Sequence, residues 1–100
     1  MEEISETREL TLLNKYGMHV RPAGLFAKFS SRYNADVEVE KDGIVVSGKS
    51  IMALMTLEAV CGTVLKVTAR GPQAHEVLDE LEALVKRKFD IPDEQCSHGG

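Results

Sequence analysis

No stretch of the 100 residues is apolar over anything near the roughly 18 consecutive positions a membrane-crossing helix needs, so no membrane insertion is expected. The opening residues, Met1-Glu2-Glu3-Ile4-Ser5-Glu6, lack the basic start and apolar run of a secretory leader. Basic residues are not in excess either. The formal charge of −4 argues against binding nucleic acid by broad phosphate neutralisation. Only two cysteines occur, Cys61 and Cys96, and they have no metal-ligand spacing. They fit a reduced, cytoplasmic setting, and no metal site is expected. There is no Walker loop and no carboxylate cluster of the metal-binding kind, so no cofactor or nucleotide is expected. Repeats and internal linkers are also absent.

What is present is the balance of an ordinary globular chain, 43% hydrophobic and 28% charged, and enough for one core. Residues 7–13 alternate, Leu10 and Leu12 against Glu9 and Thr11, which predicts a strand. The polar run Asn14-Lys15-Tyr16-Gly17 ends it. Pro22, Leu25, Phe26, Phe29 and Tyr33 recur at helical spacing and predict a helix over 20–33. Val37 and Val39 alternate with acidic residues. Lys41-Asp42-Gly43 then turns into Ile44-Val45-Val46, a predicted hairpin. Ser50 stands as N-cap before Ile51-Met52-Ala53-Leu54-Met55, a short helix expected to run to 57–60 and stop at Gly62. A fourth strand is predicted over 63–69, with Leu65 and Val67 facing inward. Gly71-Pro72 would then open a last helix striped by Val77, Leu78, Leu81, Leu84 and Val85. Lys86, Arg87 and Lys88 suit its negative end. The order β-α-β-β-α-β-α predicts a two-layer α+β domain over 1–92, with 93–100 as a flexible tail.

The segment Gly17-Met18-His19-Val20-Arg21-Pro22-Ala23 puts a histidine where a loop becomes a helix. First-turn amides have no partner within a helix, and the helix dipole adds partial positive charge, so an anion on or beside His19 would find donors. Arg21 offers a permanent planar donor fork for phosphate oxygens. Pro22 is tolerated in a first turn, where no N–H is needed. Imidazole is a nucleophile, and this setting favours its neutral form, so a reversible covalent phosphoryl intermediate is the chemistry that fits. The plainer alternative is that His19 merely caps the helix and Arg21 is a solvated charge.

That segment resembles the G-x-H-x-R-P-A signature of the HPr family, histidine phosphocarriers of the bacterial phosphotransferase system. Gly48-Lys49-Ser50-Ile51-Met52 is similar to the segment around the family's regulatory serine. The likeness spans residues 7–88. It implies an open-faced β-sandwich, a four-stranded antiparallel sheet with helices packed on one face. It implies a protein phosphocarrier rather than an enzyme. His19 would carry the phosphoryl group through Nδ1, and Arg21 would steady it. Enzyme I would be the donor, an enzyme IIA domain the acceptor, and HPr kinase/phosphorylase would act on Ser50.

Val20, Gly24, Ile51, Met52 and Met55 are the candidate docking face, since flexible methionines suit a surface that fits several partners in turn. The carrier is expected to act as a monomer. His75 is expected to face solvent, and Cys96 with His98 to lie in the loose tail without metal. Two other readings stand beside sugar uptake. One is a regulatory branch that reports carbon or nitrogen status by binding proteins. Tyr16 leaves that branch open, because many sugar-uptake members carry a small polar residue there. The other is a sulfur carrier activated at Gly99-Gly100, disfavoured because such carriers extend from a final strand rather than a helix.

Overall fold

Four strands form one antiparallel sheet in the order β1-β4-β2-β3 in a computed structural model that describes residues 4–91. The strands are β1 (Ser5–Thr11), β2 (Asp36–Lys41), β3 (Ile44–Ser47) and β4 (Val64–Arg70), and the helices are α1 (Val20–Ser30), α2 (Ile51–Met55) and α3 (Ala74–Lys86). The element order and the open-faced sandwich match the expectation. The proposed boundary at 92/93 and the tail, with Cys96, His98, Gly99 and Gly100, lie outside the described residues.

Alternation decides the faces. Leu10 on β1, Val37 and Val39 on β2, and Leu65, Val67 and Ala69 on β4 are all buried. They meet Phe26 and Ala27 of α1, Leu54 of α2, and Val77, Leu78, Leu81, Leu84 and Val85 of α3. The other sheet face stays open. There Thr7 and Thr68 hydroxyls share a 2.8 Å hydrogen bond, Arg70 pairs with Glu38 at 3.0 Å, and Lys66 lies in register between Glu9 and Glu40. Asp42 and Gly43 take φ of 52° and 84°, which closes the β2–β3 hairpin as the Asp-Gly pair predicts.

Element boundaries moved for local reasons. The first strand starts and ends two residues earlier than predicted; Leu12 and Leu13 lie beyond it, Leu12 staying buried through backbone bonds to Gly62 and Thr63. Helix α1 stops at Ser30 rather than 33, and Tyr33 instead reaches α3, donating to Glu80 Oε1 at 2.8 Å. Helix α2 is only five residues long because Thr56 caps it and Glu58 turns left-handed at φ 51°. Lys41 Nζ donates to the carbonyls of Leu57 and Glu58 just beyond it. The last helix begins at Ala74 with Gln73 as N-cap, not at Gly71-Pro72. Gly71 is needed earlier, at φ 130°, where a Cβ would stand 3.1 Å from the backbone of Asn34 and Ala35.

Two features lie outside what the sequence pattern indicates. Lys88, Phe89 and Asp90 make a left-handed turn with φ near 55–58°, and it drives Phe89 into the core at 1% exposure. Cys61 is disulfide-bonded, against the expectation of a reduced thiol there.

Candidate functional site

The residues 14–19 form a braced loop. Asn14 is fully buried and its Nδ2 donates to the Gly17 carbonyl at 2.7 Å, while the Gly17 N–H returns to Asn14 O at 3.3 Å. Gly17 has φ +66°, and a Cβ there would fall 2.1 Å from Ala59 O and 2.7 Å from Val60 Cα. Only glycine fits both the angle and the space. The Met18 N–H donates to Ala59 O at 2.9 Å, so the loop is fastened to the segment that follows α2.

This bracing delivers His19 to the N-cap of α1 in an extended conformation, φ −89° and ψ −172°. Its carbonyl accepts the helix's opening bond from Ala23 N at 2.9 Å, but its side chain makes no capping hydrogen bond. His19 is thus the N-cap residue of α1 through its backbone rather than through its side chain. The first turn of α1 itself carries no acidic residue that would offset the positive end of the dipole. Val20 and Arg21 follow, both exposed, and Pro22 is buried in the first turn. The imidazole is half-buried, and the Tyr16 ring stands perpendicular to it at 84°, centroids 6.0 Å apart.

Helix α2 supplies the neighbouring surface. A Cβ on Gly24 would stand 3.9 Å from Ile51 Cδ1, which places the two helices side by side just after the His19 end. Ser50 caps α2 as expected, its Oγ accepting from Ala53 N at 3.1 Å. Met52 is 80% exposed, and Ile51 and Met55 are exposed too, while Leu54 and Leu57 turn into the core. Of the five candidate docking residues, Gly24 and Ile51 lie against each other and Gly24 is only partly accessible, while Val20, Ile51, Met52 and Met55 are exposed. Tyr16, beside the His19 ring, and Val60, beside Gly17, are both more than 60% exposed and were not assigned to the docking face from sequence. An aromatic residue inside an otherwise polar turn was the signal available for Tyr16.

The family model for the HPr component of the phosphotransferase system, described by its phosphorylation site, matches residues 6–87. The chain belongs to the HPr phosphocarrier family. It is 35% identical over 83 residues to the phosphocarrier protein HPr of Treponema pallidum, covering 83% of this chain and 94% of that protein. It is 42% identical over 74 residues to the HPr-like protein Crh of Bacillus subtilis, covering 74% of this chain and 87% of that one. A crystal structure of HPr from Bacillus anthracis superposes with a TM-score of 0.78 at 37% identity, over 81% of this chain and 96% of that one. Among the described residues of this HPr-family chain, no helix is long and apolar enough to cross a membrane.

Away from this end, His75 is exposed as expected yet engaged. Its Nδ1 lies 2.9 Å from Glu6 Oε1 and its Nε2 3.3 Å from Asp79. Arg8 reaches Glu6, Asp79 and Glu82, each at 2.8 Å. Hydrogen bonding to Glu6 holds the His75 pKa above its ordinary value, and the same bond holds Glu6 below its own. Burial opposes the Arg8 charge, but its three carboxylate partners keep it firmly protonated. This cluster joins β1 to α3 and is a structural fastening.

Proposed function

We propose that His19 accepts a phosphoryl group from enzyme I, charged from phosphoenolpyruvate, and passes it to an enzyme IIA domain. A ring nitrogen attacks phosphorus, the N–P bond forms as the donor's bond to phosphorus breaks, and the acceptor domain reverses the step. The observation that carries this is the α1 N-terminus. Its N-cap is a histidine whose side chain leaves the first-turn amides alone, no acid lies nearby in the turn, and Arg21 follows two residues on. Those amides and the guanidinium can meet phosphoryl oxygens in the donor, intermediate and acceptor steps alike. The chain itself is a carrier acting as a single copy in the cytoplasm, and the catalytic push comes from its partners.

Ser50 gives a regulatory reading some footing. A hydroxyl already at a helix N-terminus could carry phosphate from HPr kinase/phosphorylase without unfolding α2, and the added charge would fall beside Ile51 and Met52. The likeness to Crh favours keeping this second output in view.

The test is mass spectrometry after incubation with phosphoenolpyruvate and enzyme I. One acid-labile phosphoryl group is expected, and none in His19→Ala. A His19→Ala chain that still takes the group removes His19 from the role.

A further inference from the structure

The geometry points to Tyr16 as the positioning residue of the histidine site: its ring holds the His19 imidazole in one orientation and shields a phosphoryl group on it from water. This rests on the phosphocarrier reading above. The centroid distance of 6.0 Å and the angle of 84° are those of an edge-to-face aromatic pair. The pair is enforced by the backbone between the two rings. Gly17 is locked by Ala59 and Val60, its carbonyl takes the Asn14 amide, and the His19 N–H donates to the same carbonyl at 3.0 Å. Side-chain contact adds to this, with the Lys15 ammonium 5.2 Å from the Tyr16 ring centroid.

Tyr16 gains little from the core, being 62% exposed. A large aromatic ring left outside, in a loop this tightly held, is placed for its neighbour. The neighbour's orientation matters because transfer and loss compete at the same atom. In hydrolysis the N–P bond breaks, the water oxygen bonds phosphorus, a proton returns to the ring nitrogen and inorganic phosphate leaves. A wall on one side of the imidazole narrows the approach of water, while Val20, next along the chain, stays exposed to a partner.

The experiment uses the full chain with His75→Gln and His98→Gln, so that His19 is the sole histidine of the three in the sequence. Phosphoramidate loads the ring without any partner protein, and phosphorus NMR follows the decay of phosphohistidine. Tyr16→Ala is expected to shorten the lifetime roughly three- to tenfold, the range an aromatic pair of this kind can account for, while Tyr16→Phe keeps it. The His19 ring-proton shifts should move in Tyr16→Ala and return in Tyr16→Phe, and the unfolding midpoint should barely change. Equal lifetimes and unmoved ring protons in Tyr16→Ala overturn the proposal. If phosphoramidate does not load His19, the ring-proton shifts decide alone. Failure of enzyme I to phosphorylate the native chain would count against the phosphocarrier reading and leave these two readouts standing.

Discussion

At the scale of single residues, position within the helix turn separates roles that composition cannot. Arg21 is exposed at the start of α1, so Arg21→Ala is expected to change stability by no more than about 0.5 kcal/mol, the range for surface sites. Phosphoryl transfer should slow by an order of magnitude or more, and comparing denaturation curves with transfer kinetics checks the split. Gly17 is the opposite case. Gly17→Ala meets both a left-handed φ and the Ala59 carbonyl, and is expected to destabilise by about 2–4 kcal/mol in urea unfolding. Ser50→Ala loses the cap of α2 and about 1 kcal/mol, whereas Ser50→Asp keeps a good N-cap and brings a charge to the methionine surface. Titration against an enzyme IIA domain should therefore show weaker binding for Ser50→Asp at nearly native stability.

The site was legible at this scale because its parts are local. A histidine, an arginine and a proline at fixed spacing from a glycine describe a helix start on their own, and Ser50 describes another. What stayed hidden was long-range. Nothing in Gly17 announces Ala59, more than forty residues away, and Tyr16 touching His19 depends on the loop that Asn14 and Ala59 hold together.

At the scale of elements, strong periodicity was reliable and ends were not. Every residue of the α3 stripe is buried, yet its start moved to Ala74, since Gly71 is occupied with the approach to Asn34 and Ala35. Tyr33 fits the α1 stripe but serves α3 through Glu80, a choice made by tertiary contact rather than by spacing. The fastening of β1 to α3 belongs here and has a pH signature. His75 has its pKa raised above 6.5 by Glu6, so its contribution is fully present below about pH 6.5 and fades as pH rises through the higher folded value. Glu6 is held below 4.5, so its contribution is present above that value and fades as pH falls through the lower one. The fastening is therefore strongest between those limits. Thermal melts of the native chain and His75→Gln should differ most near pH 5.5 and converge toward pH 9.

At the scale of the whole molecule, closure of the core depends on a side chain the helical stripes did not include. Phe89 enters only because Lys88, Phe89 and Asp90 accept left-handed backbone angles that favour glycine. A strained turn persists when what it delivers outweighs the strain, and here that is a fully buried aromatic ring. Phe89→Ala is expected to lower stability by about 3–5 kcal/mol by chemical denaturation, with the secondary structure of the survivors unchanged by circular dichroism. The two-layer α+β architecture was legible from element order and alternation, whereas the strand order β1-β4-β2-β3 was not. The reversal after α3 was not, since lysine, phenylalanine and aspartate in sequence carry no mark of it.

The open face of the sheet, with its threonine pair, its Arg70–Glu38 bridge and Lys66 between two glutamates, sets a ceiling of a different kind. A carrier is used stoichiometrically: each copy moves one group per visit, so throughput grows with the number of copies in solution. Such a molecule benefits from being concentrated without sticking to itself. A face whose polar groups already answer one another offers a second copy little to gain, and one of the sheet's two edge strands, β3, is only four residues long. The rest of the surface, more than the histidine end, then sets how crowded with carriers a solution can become.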